Sequence, residues 1–254
     1  MTAAMTPKTR LVSVMTANNE IGVVQDIAML SSAARNAGVM MHTDAVQAAG
    51  KLPVDFHTSG VHLLSLSAHK IYGPKGIGAL IVEEGIELFP LLHGGGHERG
   101  LRGGTENVAG IVGFGMAAEL AGVEGAERTR HCLELRRYLE SSISQVLPDI
   151  AIVSEQVERL SNTSMLLVPG IEGETLLMHL DQAGIAVSSG SACSAGDFAP
   201  SHVLAALGLA GETGRSAVRI SFGRDNSVED VDALVSALGD LLKKYAGMSL
   251  TGWM

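Results

Sequence analysis

The chain has 254 residues, 46% hydrophobic and 18% charged, enough to bury a core in one large or two modest globular domains. Its formal net charge of -9 argues against nucleic acid or an anionic membrane as the main partner. No apolar run is expected to reach the length of a membrane span, Met1–Arg10 lacks the apolar core of a signal peptide, and Cys132 and Cys193 sit in surroundings too different for a disulfide framework. A soluble, cytoplasmic protein is expected.

Taken in order, Arg10–Met15 reads as a short apolar strand that runs into the polar loop Asn18-Asn19-Glu20-Ile21-Gly22. Asp26–Ala37 carries apolar residues at Ile27, Leu30, Ala34 and Ala37 and stops at Gly38, as a helix should. Val39–Met41 is the next strand, with His42, Thr43, Asp44 and Gln47 at its end. Val61–Leu66, with His62 inside it, reads as a buried strand ending in Ser67, His69 and Lys70. A Gly-Pro-Lys-Gly turn then leads into a second apolar run, Ile77–Val82. Strand, helix, strand with polar side chains at the strand ends is the logic of an α/β sheet, whose sites cluster at the carboxyl ends of its strands.

The next stretch, His93–Gly100 and Arg102–Asn107, is a glycine-rich connection whose amides could hold an anion. Asn107–Leu120 is expected to be a buried helix and Glu127–Leu147 a separate, charged amphipathic one. The change of composition around Gly122–Gly125 divides the chain into a first domain, 1–123, and a smaller α+β domain, 124–254. In the second domain the pattern is strand (Ile150–Val153), strand (Ser164–Val168), helix (Gly173–Ala183) and strand (Ile185–Ser188). A small-residue loop, a short helix (His202–Leu207) and a strand (Ala217–Phe222) follow. The last helix opens on Ser227 and Asp230 in a capping-box-like arrangement and runs to about Tyr245.

Several of these residues suggest chemistry. A lysine at the mouth of a strand, between a hydroxyl and an imidazole and partly desolvated, could attack a carbonyl as a Schiff-base nucleophile; the alternative for Lys70 is a surface lysine in a turn. Asp44, just past a buried strand, is costly unless a cation meets it, or else it caps the following helix. A Schiff-base lysine with an aspartate facing a pyridinium nitrogen is the pairing that pyridoxal phosphate requires. Gln47 and Asn19 could reach the ring's phenolic oxygen, although asparagine is also a turn residue. Ser67, His69 and Thr105 are candidate phosphate contacts, each weak alone because turn hydroxyls usually bond locally. Cys193, framed by glycine and serine, reads as an accessible nucleophile, whereas Cys132 beside Leu133 reads as inert. Arg219, alternating with apolar residues in a strand, either snorkels or clamps a carboxylate bidentately. His93 and His97 with Glu98 fit no common metal-ligand spacing, and no metal is expected.

Together the runs NNEIG (Asn18–Gly22), HTDAVQ (His42–Gln47), SAHKIYGPKG (Ser67–Gly76), HGGGHERG (His93–Gly100) and SSGSAC (Ser188–Cys193) resemble the cysteine desulfurase family, NifS/IscS-like, over essentially the whole chain. The SSGSAC form is similar to the family's group with the longer catalytic loop. The resemblance implies an α/β protein of the fold-type-I pyridoxal phosphate transferases: a mixed sheet in a partial large domain, then a smaller C-terminal α+β domain. It implies that Lys70 holds pyridoxal 5'-phosphate covalently and later moves protons, and that Asp44 faces the ring nitrogen. Asn19 and Gln47 would lie near the ring oxygen, and Ser67 and His69 would bind the phosphate, with Thr105 doing so from the other subunit of a homodimer. Arg219 would bind the carboxylate of L-cysteine, and Cys193 would take its sulfur as a persulfide for an iron–sulfur scaffold or a sulfur-carrier protein. Family members also carry about a third of their length before the point where this chain starts, so a partial cofactor pocket is expected here. A selenocysteine lyase, a class-V aminotransferase, or a non-catalytic chain that needs a partner are the alternatives.

Overall fold

The computed structural model describes residues 1–189 and 201–251, the last five as backbone only. They form two compact units, Met1–Ala17 with Val24–Ala126, and Asn18–Val23 with the chain from Glu127 onward. The sequence division at 123/124 compares with 126/127 here, and the six residues Asn18–Val23 belong with the second unit.

The first unit is built on a four-stranded mixed sheet. Strands β1 (Leu11–Met15), β2 (Met40–Asp44) and β3 (Leu63–Ser67) run parallel in that order, and β4 (Gly78–Val82) pairs antiparallel with β3. Parallel neighbours need a crossover, and helix α1 (Ile27–Asn36) lies in the one between β1 and β2. Asp26 caps it, its carboxylate accepting from the Met29 amide at 2.9 Å. A one-turn helix α2 (Phe56–Ser59), capped by Asp55, precedes β3 and ends at Gly60, whose φ of 66° is the left-handed conformation that glycine adopts freely. Because strand side chains alternate, Met41 and Thr43 are buried, Met41 in a core with Ile27, Ala34, Ala45, Val61 and Leu64. The opposite face carries a polar row across the sheet, Ser13 Oγ to His42 Nδ1 at 2.7 Å and His42 Nε2 to Ser65 Oγ at 2.8 Å.

Helix α3 (Val108–Val146) corrects two expectations at once. It is one continuous helix of 39 residues rather than two, and its first half is largely exposed rather than buried: Val108, Val112, Met116 and Val123 all face outward. Gly122 and Gly125, where the division was expected, lie within the continuous helix, and Gly113 marks a close approach. A Cβ at Gly113 would lie 2.6 Å from Pro74 Cγ. By length and composition the helix also suffices to cross a membrane, against the expectation that no run would.

The second unit packs the later part of α3 under an antiparallel sheet of order β5 (Ala151–Ile152), β6 (Thr163–Leu167), β8 (Ala217–Ser221), β7 (Ser188–Ser189). Leu135, Leu139 and Ile143 of α3 meet Leu166, Val218 and Ile220 of the sheet, Leu176 and Leu180 of α4 (Gly173–Gln182), and Val231, Leu234 and Leu238 of α7 (Val228–Thr251). Truncating fully buried side chains such as Leu139 or Ile143 to alanine costs about 2–5 kcal/mol. Two short helices, α5 (His202–Ala206) and α6 (Glu212–Arg215), precede β8. Arg159, its side chain 2% exposed, reaches Glu140 through NH1 (2.8 Å) and NH2 (3.1 Å), and Ser164 Oγ donates to the same carboxylate. The third expected strand is displaced from Ile185–Ser188 to Ser188–Ser189, because Ile185 and Val187 pack against the core instead.

At the start of β3, His62 Nδ1 accepts the Met41 amide at 3.0 Å, and desolvation, followed by the Arg35 charge, lowers its pKa below the ordinary histidine value despite Glu83 nearby. With the folded pKa depressed, the unfolded chain binds the extra proton first as pH falls. The stability this neutral imidazole contributes is therefore complete above its unfolded pKa and is lost as pH drops through the folded one. Denaturant midpoints between pH 7.5 and 5 should fall more steeply for the wild type than for H62N, whose amide oxygen keeps the acceptor without the titration.

Candidate active site

Two groups of the expected residues are assembled, one in each unit. The first lies at the carboxyl ends of β2 and β3. Register pairs Asp44 with Ser65, so the last residue of β2 stands one strand away from the end of β3. After Ser67 the chain makes a 3-10 turn, Ala68–Ile71, that buries Ala68 and Ile71 and turns His69 and Lys70 outward. Tyr72 closes it with a φ of 67°, and Gly73 follows where a Cβ would lie 2.9 Å from both the Ala68 carbonyl and the Ala117 Cβ. That crowding is why the SAHKIYG run needs glycine there. Ser67 Oγ and His69 Nδ1 are 2.8 Å apart, so the hydroxyl and the imidazole already form a pair.

Asp44 is exposed, and its Oδ1 accepts the Val46 amide at 2.9 Å. It caps its own turn while remaining exposed. Gln47 is half-buried in that turn, and its carbonyl accepts from Lys51 Nζ at 2.9 Å. The expectation that Lys70 is partly desolvated is corrected: its side chain is exposed, because the short turn spends its inward positions on Ala68 and Ile71. Thr105 is exposed in the glycine-rich connection. There the Gly103 amide donates to the Leu92 carbonyl at 2.8 Å, and a Cβ at Gly103 would come within 2.7 Å of the Gly94 nitrogen.

The second group is organised by Asn18–Val23. Asn18 Oδ1 accepts the amides of Glu20 (2.9 Å) and Ile21 (3.0 Å), an Asx turn that sets the segment's shape. Ile21 is buried with Val153, Met165, Leu167, Leu204 and Ala217, and the Gly22 carbonyl accepts the Leu160 amide at 2.8 Å. The Asn19 carbonyl, directed outward by this turn, accepts from Arg219 NH1 on β8 at 2.9 Å. Arg219 Nε is buried with no protein partner among the described residues, a donor left over for an anion. Arg219 is therefore held, not snorkelling. Asn19 touches it through the main chain, a contact that the side-chain reading did not anticipate.

Glu20 and Ser201 form a buried pair that the sequence reading missed. Both are buried, and the Ser201 hydroxyl donates to the Glu20 carboxylate. Their separation of 181 positions left no local pattern to find; a glutamate directly before the apolar Ile21 was the only signal. Cys193 lies outside the described residues.

The class-V aminotransferase family model matches residues 1–234. A cysteine desulfurase of Gluconacetobacter diazotrophicus is 43% identical over 246 residues, which are 97% of this chain and 62% of that protein. The structure of a NifS-like protein from Rickettsia africae superposes with a TM-score of 0.87 at 34% identity, covering 95% of this chain and 64% of that one. A structure of SspA in complex with cysteine gives a TM-score of 0.70 at 35% identity, over 87% of this chain and 61% of the other. The chain thus spans about three fifths of the length of the proteins it matches.

Gly22 resists substitution through both its conformation and its surroundings. Its φ is 72°, and a Cβ would sit 3.2 Å from the Thr163 Cβ. G22A should lower unfolding free energy by about 1–2 kcal/mol, the cost of the left-handed conformation for an L-residue, as read by urea denaturation.

Proposed function

Because the chain belongs to the class-V aminotransferase family, we propose that it carries the chemistry of a pyridoxal phosphate-dependent cysteine desulfurase. The single observation that supports this most is the first group: an amine, a carboxylate, a hydroxyl and an imidazole at the ends of adjacent strands, with Lys70, His69 and Asp44 exposed. That donor set fits the cofactor. Lys70 would hold it through its amine, Asp44 would meet the ring nitrogen, Gln47 and Asn19 the ring oxygen, and Ser67, His69 and Thr105 the phosphate. The bound group would supply an electron-accepting ring beside the substrate's alpha carbon.

The remaining work belongs to this chain's own side chains. The Asp44 carboxylate would keep a proton on the ring nitrogen, since a full negative charge beside it favours the charged form. The Lys70 amine, once freed, would carry a proton between substrate carbons. Arg219, fixed by the Asn19 carbonyl and with Nε unsatisfied, would receive the carboxylate of L-cysteine. The Cys193 thiolate would attack the substrate sulfur. A sulfur–sulfur bond forms, the carbon–sulfur bond breaks with its electron pair going to carbon, and a proton completes alanine's methyl group. The persulfide left on Cys193 is a reversible thiol cap, to be handed to an iron–sulfur scaffold or a sulfur-carrier protein. A reducing, cytoplasmic setting suits such a thiol.

Exposed apolar side chains in the first unit favour an assembly larger than one chain. Phe89 is 94% and Leu91 91% exposed, and Leu92, Leu101, Val108 and Val112 follow. We attribute part of this surface to a homodimer in which Thr105 serves the partner's site. The same surface, with relatives much longer than this chain, favours a second reading in which turnover requires a further polypeptide.

Purified protein mixed with pyridoxal phosphate should gain a visible absorption band that L-cysteine perturbs. K70A should lack that band, and C193A should keep it while alanine and sulfide formation fall to background. Sulfide release from L-cysteine by K70A at the wild-type rate would contradict the assignment.

A further inference from the structure

Arg219 is held by a contact that is itself held from elsewhere. Its NH1 donates to the Asn19 carbonyl at 2.9 Å, and a main-chain acceptor is only as well placed as the segment that carries it. The Asx turn at Asn18 gives the segment Asn18–Val23 its shape. Its place comes from the strip of chain at Arg159 and Leu160. There the Leu160 amide donates to the Gly22 carbonyl at 2.8 Å, and Arg159 forms an antiparallel bridge with Val23.

That strip is gripped from α3. The Arg159 side chain is buried, and a guanidinium so placed is costly unless a partner offsets the lost water. Glu140 is that partner, meeting NH1 at 2.8 Å and NH2 at 3.1 Å, a forked contact that fixes direction as well as distance. Ser164 Oγ on β6, fully buried, donates to the same carboxylate at 2.8 Å and ties it to the sheet. Arg136, one turn before Glu140 on the same face of α3, donates from NH1 to the Leu160 carbonyl at 2.9 Å. The helix thus holds Arg159 by its side chain and Leu160 by its main chain.

We propose that Glu140 and Arg159 are positioning residues for substrate binding: their buried ion pair fixes the main chain on which Gly22 and Val23 dock, and so sets the Asn19 carbonyl that orients Arg219. This rests on the reading of Arg219 as the receptor for the carboxylate of L-cysteine. The path from Glu140 to Arg219 runs through Arg159, Leu160, Gly22 and Asn19, by hydrogen bonds and short covalent stretches alone. An apolar contact in place of the pair would hold the strip but let it slide, whereas two planar groups joined at two points keep one register. Neither Glu140 nor Arg159 touches substrate. The anchor grips the substrate carboxylate equally before and during reaction, so misplacing it weakens binding and leaves the turnover of bound substrate little changed.

The test compares wild type, R159M, E140A and R219A with I143A, a core truncation in α3 that destabilises without touching the pair. The Arg219 Nε–H signal in heteronuclear NMR, identified by its absence from R219A, reads the anchor without substrate or cofactor. It should shift and broaden in R159M and E140A and keep its wild-type position in I143A. With pyridoxal phosphate, KM for L-cysteine should rise about tenfold in R159M and E140A, the effect of misplacing one hydrogen bond to a charged group, with kcat within about twofold. I143A should leave both constants at their wild-type values. An unmoved Arg219 signal in R159M, or the same rise of KM in I143A, would overturn the proposal. E140A leaves a buried guanidinium unpaired; if it fails to fold, R159M, which removes that charge, decides. A wild-type KM in R219A sinks the anchor reading, and no turnover of cysteine by the wild type sinks the desulfurase reading. In either case the Arg219 signal still decides whether the pair positions Arg219.

Discussion

Parallel pairing of β1, β2 and β3 is the constraint from which the first group of residues follows. Strands that run the same way deliver their ends to one side, so Asp44 and the turn after Ser67 become neighbours without any contact between their side chains to bring them there. The crossover that parallel pairing demands is met by α1 with its Asp26 cap. Alternation along each strand then separates an apolar face, with Met41 and Leu64, from a polar one, where His42 bridges Ser13 and Ser65. Lys70 stands outward because a four-residue turn has only enough inward positions for Ala68 and Ile71.

The second group depends on a different device. Six residues between β1 and α1 leave the first unit's packing and join the second's. Burying Ile21 is worth about 1.5–3 kcal/mol, and the Gly22 carbonyl and the Asn18 side chain satisfy the amides such a docking would otherwise strand. What this secures is a carbonyl, that of Asn19, aimed at one arginine, and a carboxylate, that of Glu20, aimed at one serine. A guanidinium on a strand among Val218 and Ile220 is costly to hold still, and the main-chain acceptor does it without placing an opposite charge beside it.

Much of this was legible in the sequence, for identifiable reasons. Strand and helix periods located β1, α1, β2, β3, β4, β6, α4 and β8 to within a few residues, since each is short and its pattern is strong. The positions of Asp44, Ser67, His69 and Lys70 at strand ends followed from the same reading. Glycine was misjudged in α3: Gly122 and Gly125 lie within one continuous helix where a boundary between two was expected. Burial was misjudged for the first half of α3 and for Lys70, because apolar composition and flanking motifs do not say what covers a surface. Glu20 with Ser201 and Asn19 with Arg219 were out of reach, being pairs separated by 181 and 200 positions. Long-range hydrogen bonds leave no periodic trace.

The central claim is that Lys70 is the amine that carries pyridoxal phosphate, and borohydride reduction of the chain incubated with the cofactor tests it directly. Reduction fixes the cofactor to whichever lysine holds it, and peptide mass mapping identifies that residue. The account predicts a pyridoxyl group on the peptide containing Lys70, at near-stoichiometric yield and suppressed when L-cysteine is present. Label confined to Lys51, Lys75 or the α7 lysines, or an absence of label on folded protein, would contradict it.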